Sequence, residues 1–264
     1  MDLGLSGKRA LVTGSTAGIG LAAARGLAAE GASVILNGRT AERVSAAVAS
    51  IRGAVPGADV AGVAADLGTA AGCETLARAS GAVDVLVNNV GIFEPRPFDE
   101  ITDADWMRFF ETNVMSGVRL ARQLLPGMRG RGWGRIVFVS SESAVQIPVE
   151  MIHYGMTKTA QLAVARGLAE TTVGTGVTVN SVLPGPTASE GVGTFVAQMA
   201  AARGASFATM EREFFETARP SSLLKRFETS EEVAAMIVYV CSARASATNG
   251  AALRCDGGVV RSIL

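Results

Sequence analysis

The chain of 264 residues has one histidine and three cysteines, and its 24 Lys+Arg balance 24 Asp+Glu. Each shortage excludes something. Cys73, Cys241 and Cys255 are odd in number, widely spaced and without a Cys-x-x-Cys pair, so neither a disulfide framework nor a zinc site is expected, and no metal at all. Free thiols in a reducing compartment are the expectation, and with them a cytoplasmic location. Zero net charge, with no basic tail or charged block, removes the usual footprint of nucleic-acid binding or of an anionic membrane surface. Apolar runs such as Met236 to Val240 are far too short to span a bilayer. Met1 to Gly7 shows no charged segment followed by an apolar stretch, so no signal peptide is expected.

What is present is a regular alternation. Apolar runs with β character fall at Ala10–Thr13, Ser33–Asn37, Asp59–Ala64, Val83–Val87, Arg135–Ser141, Val177–Val182 and Ala251–Cys255. Between them lie stretches with helical spacing: up to Glu30, Ala41–Arg52 capped by Thr40, Ala70–Ser80, one long helix over Asp103–Met128, a helix from Ile152, and one capped by Ser230 that runs to Ser242. Strands alternating with helices predict a parallel sheet, and strands buried on both faces read as near-continuous apolar runs, as these do. The length suits one α/β domain over residues 1–264, with a core of ample size. The stretch 188–224 is amphipathic, helical in part and without a clear strand.

After the first strand comes Gly14-Ser15-Thr16-Ala17-Gly18-Ile19-Gly20, and then a helix. Strand, glycine-rich turn and helix N-terminus in that order form an anion site. Exposed backbone N–H groups and the helix dipole both face a phosphate, and glycines permit close backbone approach. The order points to dinucleotide binding, although the spacing is Gly-x-x-x-Gly-x-Gly rather than Gly-x-Gly-x-x-Gly.

A second motif is Tyr154-Gly155-Met156-Thr157-Lys158 at a helix start. Residues four apart share a helix face. A free Tyr titrates near pH ~10, so acid–base work near neutrality requires a drop of about three units, or ~4 kcal/mol. An ammonium about 4 Å away supplies roughly that at an effective dielectric of ~20. Tyr-x-x-x-Lys can thus form a tunable general acid/base.

Together these residues resemble the classical short-chain dehydrogenase/reductase family over essentially the whole chain. The matching pieces are Thr13-Gly14-x-x-x-Gly18-Ile19-Gly20, Asp66, Asn88-Asn89-Val90-Gly91, Asn113, Ser141, Tyr154-x-x-x-Lys158, Pro184-Gly185 and Asp256-Gly257-Gly258. Val90 stands where the family usually has Ala. The resemblance implies a Rossmann-type, doubly wound, three-layer α/β/α domain with ligands at the C-terminal strand edge. It implies an oxidoreductase that moves a hydride between a nicotinamide and a ketone or secondary alcohol, for example a 3-oxoacyl thioester or a sugar acid. Tyr154 is then the proton donor or acceptor, Lys158 lowers its pKa and holds the nicotinamide ribose, and Ser141 (rather than Ser140) holds the substrate oxygen. Asn113 holds a water that joins Lys158 to solvent. Gly14, Ser15, Thr16, Gly18, Ile19 and Gly20 receive the pyrophosphate. Asp66 accepts from the adenine amine, Asn89 and Gly91 meet the cofactor at the end of the fourth strand, and Pro184, Gly185 and Thr187 flank the nicotinamide. Asn88 ties strands together.

The cofactor expected is NADP(H) rather than NAD(H). An NAD-preferring enzyme of this fold ends its second strand in Asp or Glu. Here that place is Gly38, followed by Arg39, whose guanidinium suits a 2′-phosphate. Asn37 is a candidate for a further neutral donor. Gln146, Val149 and Met151 fall where the family places its substrate wall. His153 is expected as a polar helix-start residue, and Phe214 and Phe215 as core. The resemblance also implies a homotetramer, joined through the helices at 103–128 and 152–172 and a C-terminal segment with an apolar Val259, Val260, Ile263 and Leu264. The competing readings are a catalytically silent nucleotide-binding regulator and an epimerase or dehydratase on the same fold.

Overall fold

The computed structural model describes residues 1–189 and 206–263. Seven strands form one sheet: β1 (Arg9–Val12), β2 (Ser33–Gly38), β3 (Val60–Ala64), β4 (Val85–Asn88), β5 (Gly134–Val139), β6 (Val177–Pro184) and β7 (Ala252–Cys255). All neighbours are parallel, in the order β3-β2-β1-β4-β5-β6-β7. The order reverses between β1 and β4, which opens a crevice at their C-terminal ends. Successive residues on a strand point to opposite faces, and the core divides accordingly. Val12, Leu36, Val87 and Val137 pack on one side with α1 (Gly18–Ala29), α2 (Ala41–Ala54) and α8 (Ser230–Cys241). Leu11, Ile35, Leu86 and Ile136 pack on the other with α3 (Ala70–Ser80), α5 (Ser116–Gly130) and α6 (Ile152–Glu170). The result is the expected three-layer α/β/α domain.

Several local expectations need correction. β3 is not buried on both faces: only Val60 is buried, because β3 is the sheet edge. The helix expected over 103–128 is present and helical throughout, but α4 (Asp103–Phe110) joins α5 through a π turn over Glu111–Met115. Asn113 lies in that turn. Its Oδ1 accepts from Ile92 N (2.7 Å) and its Nδ2 donates to Ile92 O (3.0 Å), which ties the turn to the loop after β4. Thr229, not Ser230, caps α8: its hydroxyl accepts from Glu232 N, and the Glu232 carboxylate accepts from Thr229 N in return. Within 188–224 the described helix is α7 (Phe207–Thr217). The rest of that expectation lies partly outside the described residues, as does Leu264. Asn88 is buried, but its side-chain amide makes no hydrogen bond among the described residues, so the expected tie between strands is not seen there. His153 is buried against Phe109 (ring centroids 4.0 Å apart) and Trp106. It packs α6 on α4 instead of standing as a polar helix start, and burial lowers its pKa. Val259 and Val260 are buried within the chain itself, and only Ile263 of the described apolar tail is exposed.

Candidate active site

The glycine turn is built as an anion cradle. Gly14 and Gly18 adopt φ of +58° and +54°, which favour glycine. A Cβ at Gly20 would collide with Gly14 O and Asn89 Nδ2. Asn89 fixes the turn by donating to Thr13 O and Gly14 O, both at 3.0 Å. The first turn of α1 has no capping side chain and no acidic residue. Its leading amides are therefore free of the two features that would compete with a phosphate. Ser15 is fully buried, with its hydroxyl donating to Val12 O, so it shapes the turn. Thr16 packs under Gly38, where a Cβ would fall inside its methyl group. These features fit a dinucleotide.

Next to this cradle, Arg39 is exposed just past the end of β2 and makes no ion pair among the described residues. Asn37 is no ligand donor. Its Nδ2 is used on Val63 O (3.2 Å) and Ala65 O (3.1 Å) of the neighbouring strand end, and its Oδ1 accepts from Gly14 N. Asp66 is exposed past the end of β3, and its Oδ1 accepts from Gly68 N at 3.0 Å.

Across the crevice a cavity of about 560 Å³ is lined by Ile19, Asn89, Gly91, Ser141, Tyr154, Lys158, Pro184, Gly185 and Thr187. The fold thus brings residues from five separate stretches to one place. Both Ser140 and Ser141 line the cavity, but the Ser140 hydroxyl is spent on Lys158 O at 2.9 Å, while Ser141 bonds the Tyr154 hydroxyl. Thr187 donates to Gly185 O at 2.9 Å. Of the expected substrate wall, Met151 lines the cavity, while Gln146 and Val149 are exposed outside it. Phe215 is core as expected, but Phe214 is a cavity wall.

The electrostatics correct one expectation. Tyr154 lines the cavity with part of its ring exposed, but its hydroxyl lies deep. Burial pushes its pKa up to about 12, against a lowering by the Ser141 hydrogen bond. The Lys158 ammonium lies over the ring. Its Nζ is 5.6 Å from the Tyr154 ring centre and donates to Val139 O at 2.9 Å. Burial pulls Lys158 down to about 8. At neutral pH the site therefore holds a protonated phenol beside an ammonium.

Sequence reasoning missed Gln161. It is buried, its Nε2 donates to Asn113 O at 2.5 Å, and its Oε1 accepts from Lys158 Nζ at 3.4 Å. The two partners, one acceptor and one donor, fix which end of the amide is which. The Asn113 side chain is itself fully engaged, its Nδ2 also donating to Thr157 Oγ1 at 3.0 Å. Asn113 thus reaches Lys158 through Gln161. A polar residue three positions after Lys158 was the only signal of this in the chain.

Residues 8–198 match the family model of short chain dehydrogenases. The chain belongs to the short chain dehydrogenase family. It is 47% identical over 263 residues to the uncharacterized oxidoreductase YvaG of Bacillus subtilis, covering 100% of both chains. It is 35% identical over 260 residues to D-beta-hydroxybutyrate dehydrogenase of Cupriavidus necator, covering 97% of this chain and 99% of that one. Among solved structures it resembles L-sorbose reductase from Gluconobacter frateurii, complexed with NADPH and L-sorbose, with a TM-score of 0.95 and 34% identity over 100% of both chains. As a short chain dehydrogenase it is an oxidoreductase that works between a nicotinamide and a ketone or alcohol.

Proposed function

We propose that this short chain dehydrogenase uses NADP(H) to interconvert a small ketone and its secondary alcohol, with Ser141, Tyr154, Lys158 and Asn113 as its working set. The observation that carries the reading is the convergence of Ser141, Tyr154 and Lys158 on one cavity with Asn89, Gly91 and the 184–187 turn. The glycine turn (Gly14, Ser15, Thr16, Gly18, Ile19, Gly20) would hold the pyrophosphate and Asp66 the adenine. Arg39 would hold a 2′-phosphate, consistent with the L-sorbose reductase solved with NADPH. Pro184, Gly185 and Thr187 would flank the nicotinamide, whose chemistry when bound is hydride transfer.

The rest is done by the chain. Ser141 donates to the substrate oxygen and stabilises charge developing there. Tyr154, protonated at neutral pH, delivers its proton to that oxygen as negative charge builds. A pKa of about 12 keeps that proton on Tyr154 until the substrate oxygen becomes basic enough to take it. Lys158, held by Val139 O and Gln161 Oε1, places positive charge beneath the site. Met210, Phe214 and Thr217 of α7, on the cavity wall, would form the substrate side. A homotetramer joined through α4–α5 and α6, located in the cytoplasm, completes the proposal; light scattering should give a mass four times 27.1 kDa.

The direct test is a ketone panel with NADPH, followed by reduced-nicotinamide absorbance. Consumption with at least one ketone supports the reading. Tight NADPH binding without consumption on any ketone would favour the silent regulator. Turnover without net change in cofactor would favour the epimerase or dehydratase.

A further inference from the structure

One wall of the cavity holds charge that proton transfer at Tyr154 does not require. Glu142 directly follows Ser141, is 3% exposed and lines the cavity. Its Oε1 accepts from Arg219 Nε at 2.9 Å, while its Oε2 is buried without any hydrogen-bond partner among the described residues. Arg219 is buried as well, and its Nη1 is shared between Glu150 Oε1 (3.2 Å) and Ala218 O (2.9 Å). A buried carboxylate oxygen with no donor is costly, and chains seldom keep one unless something else donates to it. The Tyr154 hydroxyl lies within the field of both groups, Glu142 raising and Arg219 lowering its pKa. The unpartnered acceptor is thus near the point of proton transfer.

The same wall discriminates by charge. Glu142, Glu150 and Glu213 line the cavity with two cations, Arg219 and Lys158. Both cations already have partners: Arg219 sits between two carboxylates, and Lys158 is bound to Val139 O and Gln161 Oε1. A substrate carboxylate would find no uncommitted cation among the described cavity residues to offset the loss of its hydration.

We propose that Glu142, braced by Arg219, accepts a hydrogen bond from a substrate hydroxyl, so that the preferred substrates are uncharged ketones bearing hydroxyl groups beside the carbonyl, and the matching polyols. This rests on reading the cavity as a ketone site. It selects, from that class, neutral hydroxylated ketones over keto acids and over plain alkyl or acyl ketones. Glu142 supplies the acceptor, Arg219 aims its carboxylate, and Glu150 holds Arg219 from the other side.

The test compares three probes with NADPH: 1,3-dihydroxyacetone, pentan-3-one, which matches it in size but lacks hydroxyls, and acetoacetate, which carries a carboxylate. A site built to bond a substrate hydroxyl rejects the analogue without it, so kcat/KM for dihydroxyacetone should exceed that for each of the other two by at least about tenfold. Glu142→Gln keeps an oxygen for Arg219 but puts an amide NH2, a donor, where the free acceptor stood, and should cut the dihydroxyacetone to pentan-3-one ratio by about tenfold. A wild-type preference for pentan-3-one or acetoacetate would overturn the proposal while leaving the ketone reading intact. So would a ratio unmoved in a folded Glu142→Gln. No hydride transfer to any ketone, with NADPH still bound, would instead overturn the ketone reading and this proposal with it.

Discussion

Replacing Gln161 tests how the Lys158 charge is held. Lys158 titrates near 8 because burial disfavours its ammonium, and burial is the only cause of that shift. No charged side chain offsets it. Its bonded neighbours are the neutral Val139 carbonyl on β5 and Gln161 on its own helix, and the Tyr154 ring lies 5.6 Å away. A hydrogen bond to a charged group contributes about 1.5–3 kcal/mol. The Lys158–Gln161 contact is long at 3.4 Å, so the low end applies, which is about one pKa unit. Gln161→Met keeps the volume and removes the acceptor. The ammonium should lose about a unit of pKa. Gln161→Glu places a carboxylate there and should raise it. The assay is the pH dependence of kcat/KM for NADPH, which reports the free enzyme. The alkaline limb should move down in the Met variant and up in the Glu variant. Opposite shifts are not what a merely structural residue would give. Limbs that stay together in both variants would refute the reasoning.

Three further outcomes follow from the same geometry. Lys158→Met should abolish activity and yet stabilise the fold near pH 7: a base whose folded pKa is lowered from 10.5 to about 8 penalises the folded state below pH 8, by as much as about 3 kcal/mol, and that penalty fades as pH rises to 10.5. Thermal melts should show the gain at pH 7 and little of it near pH 10.5. Arg39→Ala should lower kcat/KM with NADPH by about 10–100-fold, the worth of a charge-assisted phosphate contact, and leave NADH nearly untouched; an unchanged NADPH to NADH ratio would show that Arg39 does not read the phosphate. Gly38→Asp is the poorer probe, since its side chain would collide with Thr16. Glu228 is buried beneath Gly185, and burial raises its pKa to about 7 from 4.5. A raised carboxyl destabilises the ionised fold, so stability should fall by up to about 3 kcal/mol as pH climbs from 4.5 through 7. Glu228→Gln should remove that slope in melts across this range.

The parts of the site legible in the sequence are those set by local spacing. Glycines at 14, 18 and 20 between a strand and a helix announce the cradle because backbone conformation and close approach demand them. Tyr154 and Lys158 share a face because four residues make about one helical turn. What spacing cannot give is where a long side chain ends. Lys158 bonds Val139 O, 19 positions away, with its ammonium 5.6 Å from the Tyr154 ring centre. Gln161 meets Asn113 across 48 positions, and Arg219 meets Glu142 across 77. These pairings exist only once β5, α6 and the segment before α8 are folded together. Asn37 was misjudged for the same reason: a strand-end amide looks available until the neighbouring strand end takes its hydrogens. The π turn at Asn113 is not legible because its own sequence holds no breaker, and the loop that Asn113 bonds is 21 positions away.

The central claim, that Tyr154 delivers the proton at a site otherwise complete, is tested most directly by Tyr154→Phe. The measurement is the rate of NADPH oxidation with the best ketone of the panel, alongside NADPH affinity by fluorescence titration. The account predicts a rate loss of at least ~10²-fold, the scale of general acid catalysis, with affinity little changed. A variant that turns over at near the wild-type rate would contradict it.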